Sequence, residues 1–174
     1  MLRFALENAP GVNLLLDDAR TFSMPAQFHL VVSMFDSLNH VLTMEELTAV
    51  FRKVFASLVT GGLFLFDLNI EEGYKINWRG SFGIVEVDHT CVIRSSYNPD
   101  EQIGRWEATI FRLNPNWKRS DVVLLQKSYS ETEIRLSVQD AGFENIAAYA
   151  FDKQAGFQDL TQSSPRAFFL CSKL

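Results

Sequence analysis

The chain has 174 residues, 47% of them hydrophobic and 15 of them Phe, which is one domain's length with ample material for a packed core. Its net charge of −5 argues against nucleic-acid binding, which needs a basic face, and the basic pair Lys118-Arg119 reads as a solvated turn. Apolar runs are no longer than a strand, so no membrane span is expected, and Met1-Leu2-Arg3-Phe4 lacks the pattern of a signal peptide. Cys91 and Cys171 lie in apolar company and read as buried free thiols, which points to a cytoplasmic protein. No repeat, low-complexity segment or metal-ligand pattern stands out.

Leu2, Ala5, Leu6 and Ala9 recur at helical spacing until Pro10-Gly11 ends the segment, which predicts about two turns of helix. Residues 12–16 and 28–35 are apolar runs without polar alternation, and both read as strands buried on two faces. Thr43 and Glu46 form a capping box, and Met44, Leu47, Phe51, Val54 and Leu58 make one apolar stripe. Gly61-Gly62 is expected to stop this helix before a third strand, 63–66, that ends in Asp67. Phe64 and Phe66 are core positions, and strand, helix and strand here make a right-handed parallel crossover.

From Phe82 the character changes. Val85, Val87, Cys91 and Ile93 alternate with Glu86, Asp88 and Val92, predicting a strand with one wetter face. Tyr97-Asn98-Pro99-Asp100 is a turn, and 106–113 and 121–129 look like further antiparallel strands. Ser130 and Glu133 form a second capping box for a helix through Ile134, Val138 and Ala141, which ends at Gly142. Residues 145–151 and 166–172 close the chain as two strands. The order poses a problem, because a parallel sheet is built from strand–helix units and this chain opens on a helix.

Several phrases together resemble a class I S-adenosylmethionine-dependent methyltransferase entered after its second strand. Met1-Leu2-Arg3-Phe4-Ala5 is similar to the helix after the family's ribose-binding acidic residue. Leu16-Asp17-Asp18-Ala19-Arg20 resembles the end of the third strand, and Ser33-Met34-Phe35-Asp36-Ser37-Leu38-Asn39-His40 the end of the fourth. Residues 58–67 resemble the Gly-Gly phrase and fifth strand, and Tyr129-Ser130 with Ala141-Gly142-Phe143 the closing helix and its corner. The resemblance covers nearly the whole chain and rests on order and spacing more than on any one phrase. It implies an α/β fold: an incomplete Rossmann-like methyltransferase sheet, a single domain over 1–174, with a β-rich antiparallel insertion over 78–127 that covers the substrate.

The same resemblance implies S-adenosylmethionine as cofactor and a small molecule as methyl acceptor. Asp18 would accept from the adenine N6 and the Ala19 N–H would donate to N1, with Asp17 pointing away; Ser33, Met34 and Phe35 would line the cofactor. Alternatively, Asp18 starts a turn. Asp36 and His40 stand where related N-methyltransferases keep the groups nearest the substrate amine, which makes them the catalytic candidates, with Asn39 beside the substrate. Asn39 and His40 could instead simply end the loop before the Thr43 helix. Arg94, Arg105, Tyr97 and Trp106 are candidates for recognising a carboxylate or aromatic group, or else pack and solvate the sheet. His29 and His89 read as structural.

The family's glycine-rich turn has no counterpart among the 9 Gly, nor has the ribose-holding acidic residue. Cofactor binding by this chain alone is therefore expected to be poor. In the resembled fold two further strands would separate 12–16 from 28–35, so those two could pair directly, or a second copy could fill the gap, or the chain could be a piece of a longer protein. The last is favoured, with self-association of the piece into a homo-oligomer. The competing readings are a non-catalytic methyltransferase-like module that self-associates, and a dehydrogenase without its nucleotide loop. The two-strand ending and β-rich cover argue against the dehydrogenase.

Overall fold

The structure is a computed structural model and describes residues 2–174; Met1, part of the opening helical phrase, lies outside the described residues. Helix α1 (Leu2–Asn8) buries none of its residues. Residues 12–16 are not a strand: among the described residues their one backbone hydrogen bond is the Val12 N–H to the Ala9 carbonyl within a turn, and Leu16 is 83% exposed. Among the described residues, direct pairing with the next strand, β1 (Phe28–Ser33), does not occur, because β1 pairs there only with β2 (Leu58–Asn69), in parallel.

Between them a 3-10 turn (Ser37–His40) leads into α2 (Met44–Ser57), capped as expected by the Thr43 hydroxyl on the Glu46 N–H. Helix α2 ends earlier than the glycine pair suggests. Leu58 is already extended, and Gly61 and Gly62 lie inside β2, at an irregularity in its register with β1 that Gly61 accommodates with φ +79°. A short helix that periodicity did not reveal, α3 (Glu71–Asn77), follows.

A four-stranded antiparallel sheet comes next, in the order β3 (Gly80–Val85), β4 (His89–Asn98), β5 (Ile103–Leu113) and β6 (Trp117–Lys127). The single strand expected from Val85 to Ile93 is thus two strands, with the Glu86 N–H bonded to the His89 carbonyl across a tight turn. Helix α4 (Glu131–Asp140) opens on the full Ser130–Glu133 capping box, and β7 (Glu144–Asp152), the unanticipated β8 (Gly156–Asp159) and β9 (Arg166–Ser172) complete the chain.

The first sheet runs β1-β2-β9-β7-β8, with β1–β2 its parallel pair. Period-two alternation sends Phe64 and Phe66 of β2 and Phe169 of β9 to one face, where α2 and α4 close over them and Phe51 and Phe143 fill the core. The two-faced burial expected of β1 does not hold, since Leu30 and Val32 are about half exposed on the other face. Cys171 is buried as expected, whereas Cys91 is only half-buried. Among the described residues no helix is long and apolar enough to cross a membrane, and no His, Cys, Asp or Glu cluster could hold a metal ion.

Candidate active site

The carboxyl end of β1 turns sharply. Phe35 and Asp36 both take left-handed conformations, φ 63° and 50°, which non-glycine residues adopt at a cost of about 1–3 kcal/mol each. Asp67, fully buried at the adjacent end of β2, holds this corner by accepting from the Asp36 N–H at 3.2 and 3.3 Å. Arg166, at the start of β9, donates to Asp67 at 2.6 Å and also bridges to the Asp36 carboxylate. The β2–β9 register makes this possible, since Arg166 pairs with Asn69 and so falls on the same face as Asp67. Burial pushes the Asp67 carboxyl above the ordinary carboxylate range, and Arg166 works against that rise.

Gln126, nearly fully buried on β6, joins this corner to the second sheet. Its amide N–H groups donate to Asp36 at 2.7 Å and to His40 Nε2 at 3.2 Å, and its carbonyl accepts from Tyr74 at 3.0 Å. His40 Nδ1 lies 2.9 Å from the Leu125 carbonyl, which can only accept, so the network assigns the proton to Nδ1 and the Nε2 lone pair to the Gln126 amide. A cavity of about 410 Å³ opens over Asp36, His40, Gln126 and Arg166, with Trp78 and Trp106 as aromatic wall. Gly104 lets the Tyr74 and Trp78 rings lie against β5, where a Cβ would come within 2.7 Å of both.

A second cavity of about 300 Å³ lies at the same strand end, lined by Asp18, Ala19 and Ser33 with apolar Phe22, Val31 and Leu38. Asp18 sits at a turn: its carboxylate accepts from the Arg20 backbone N–H and guanidinium, which hold its pKa down at about 2. Asp17, expected to point away, lines the cavity too; strand alternation does not apply to a segment that is not a strand. Met34 is half-buried, its carbonyl accepting from the Ser37 hydroxyl, and Phe35 projects 84% exposed.

The remaining expected site residues lie elsewhere. Asn39 is fully buried and spends its amide on backbone, donating to the Asn69 and Lys127 carbonyls and accepting from the Asn69 N–H. Arg94 and Arg105 both pair with Glu107 on the exposed face of the second sheet. Trp106, between Arg105 and Glu107 in sequence, turns the other way into the cavity. Tyr97 stacks on Tyr74 and bonds the Ser128 hydroxyl. Asp67, Gln126 and Arg166 are the site residues that sequence reasoning missed; the one available signal was polar side chains at the ends of otherwise apolar strands.

No protein-family model and no curated protein matches the sequence. Solved structures do match over almost the whole chain. An S-adenosylmethionine-dependent methyltransferase from Clostridium acetobutylicum aligns over 98% of this chain and 69% of its own, with a TM-score of 0.79 and 18% identity. DesVI of Streptomyces venezuelae aligns over 99% and 70%, with a TM-score of 0.76 and 22% identity. CalS10, an amino pentose methyltransferase of Micromonospora echinaspora solved with S-adenosylmethionine bound, aligns over 99% and 70%, with a TM-score of 0.72 and 23% identity.

The fold is that of the class I methyltransferases. The chain carries the parallel β1–β2 pair of the methyltransferase sheet, its antiparallel closing strands and a β-rich sheet between β2 and the last helix.

Proposed function

We propose that this protein binds S-adenosylmethionine at the carboxyl end of β1 and transfers its methyl group to the nitrogen of a small molecule. The observation that carries this reading is the pair of cavities at one strand end, with Asp36 lining the larger and Ser33 the smaller. Asp17, Asp18 and Ala19 offer polar atoms at the rim of the smaller cavity, and Phe22, Val31 and Leu38 an apolar bed for a flat adenine. Ser33, Met34 and Phe35 then flank the cofactor where the strand ends. The cofactor supplies an electrophilic methyl group.

Methyl transfer of this kind depends on alignment and exclusion of water. Asp36, fixed by Asp67 and Arg166, orients the acceptor amine. The proton that the nitrogen loses passes to His40 Nε2 in exchange for the hydrogen bond Gln126 donates there, while the Leu125 carbonyl holds Nδ1–H and keeps the ring aimed. The description of CalS10 as an amino pentose methyltransferase supports a small amine-bearing acceptor. Asn39 acts here by bracing the loop, and Arg94 and Arg105 by solvating the outer face of the sheet.

The chain contains no glycine-rich turn, so its own grip on the cofactor is weak, with a dissociation constant above roughly 0.1 mM. Titrating the labelled protein with S-adenosylhomocysteine to millimolar concentration should move the amide resonances of Asp18, Ala19 and Ser33. Shifts confined to other residues, or none at all, would defeat the cofactor reading; micromolar binding would defeat only the weak grip. The thiols suit a cytoplasmic setting. The free edge of β1 and the bare Leu30 and Val32 support self-association, which sedimentation at rising concentration should detect as a homo-oligomer. A monomer at every concentration would refute that.

A further inference from the structure

An apolar stretch of the second sheet adjoins the cavity over Asp36 and His40 at Trp106 and Leu124. In the register of the second sheet, Trp106 and Leu124 pair across β5 and β6. The next row on the same face is Phe82, Ile93, Ala108 and Val122, and beyond it come Ile84, Cys91 and Ile110. Phe82, Ile84, Val122 and Leu124 are each between two fifths and one half exposed. The opposite face carries the charge: Arg94 and Arg105 on Glu107 at 3.1 and 3.0 Å, and Arg119 on Asp121 at 3.0 Å. The charged pairs lie on that opposite face among apolar residues such as Val92 and Val123, whereas on the cavity side the rows from Trp106 to Ile110 hold no charged side chain before His89, Arg112 and Lys118; this apolar stretch is open and adjoins the polar cavity at Leu124 and Gln126.

We infer that the methyl acceptor is an amphiphile, an amine carried on an elongated apolar body that lies against Phe82, Ile84, Trp106, Val122 and Leu124. The inference rests on the acceptor reading above for the amine end and adds the chemistry of the rest of the molecule. A sugar or other polyhydroxylated body would need hydrogen-bonding side chains along its length. Between Gln126 and the far row of His89, Arg112 and Lys118, this face offers only the small groups of Ser95, Ser120 and Cys91 among aliphatic and aromatic ones. From Gln126 to Val122 the strand advances about 13 Å, room for a body well beyond a single ring.

The probe is a series of primary n-alkylamines from butyl to decyl, titrated into the full chain by calorimetry without cofactor. Affinity should rise roughly two- to fourfold per added methylene until the slab is filled. Leu124→Glu and Val122→Asn should each weaken decylamine at least tenfold. Val123→Gln, equally exposed but on the charged face, should leave it unchanged. Circular dichroism of each variant establishes that it folds. Equal affinity along the series, or decylamine binding that Leu124→Glu and Val122→Asn leave intact, overturns the proposal. So does a wild-type dimer that Leu124→Glu dissolves, because the slab would then be covered by a second copy. Chain-length-dependent binding without methylation of any amine in the presence of cofactor upholds the slab and defeats the acceptor reading instead.

Discussion

At the scale of single residues, protonation and hydrogen bonding separate groups that look alike in the sequence. Asp18 and Asp67 are both carboxylates at apolar segment ends, but Arg20 holds the first down at about 2 while burial raises the second. The sign for Asp18 follows: a pKa lowered by folding gives stability that is present above the ordinary value near 3.8 and lost as pH falls toward 2. An NMR titration of the Asp18 carboxyl should show the low midpoint, and Arg20→Ala should return it toward the ordinary range. The thiols differ in the same manner. Burial pushes Cys171 up to about 12, so Cys91 should react with a thiol reagent at pH 8 and Cys171 only after unfolding. Asn39 carries more structural weight than its type suggests. Asn39→Ala strands one N–H and two carbonyl partners in a buried place and should cost about 2–4 kcal/mol, read as a lower urea midpoint.

At the scale of elements, what was legible had a local cause. The Thr43 and Ser130 caps, the α2 stripe and the alternation of β9 each follow from short-range chemistry, and each stands where expected. Ser130→Ala should lower stability by about 1 kcal/mol in a thermal melt, since it removes the hydroxyl that accepts from the Glu133 N–H and leaves only the backbone half of the capping box. What was not legible depended on distant partners. Residues 12–16 have strand-like composition but no ladder to join, and composition cannot supply one. Gly61-Gly62 reads as a helix stop, yet it serves a strand irregularity set by β1. Asp36 and His40 could be picked out from one phrase; Asp67, Gln126 and Arg166 could not, because their meeting depends on three strands reaching one corner.

For the whole molecule, that corner is where the two sheets are tied. Asp67→Ala would leave the Arg166 charge and the Asp36 N–H without their buried partner. It should destabilise the protein by about 3–5 kcal/mol, and thermal melts compared with Asp67→Asn would separate loss of charge from loss of shape. The open face at β1 and the open face of the second sheet differ in kind: the first adjoins an unpaired strand edge, the second a cavity with polar groups.

The alternation of side chains on the second sheet also makes its reading frame a point of vulnerability. Insertion of one residue in β6 between Ser120 and Val122, which changes no side chain, would rotate everything that follows by half a turn relative to β5. Val123 and Leu125 would take the cavity side, and Gln126 would face solvent, out of reach of Asp36 and His40. A length change of one thus does more harm here than substituting any one of the apolar residues it displaces, and a change of two, which restores the alternation, should be the milder lesion.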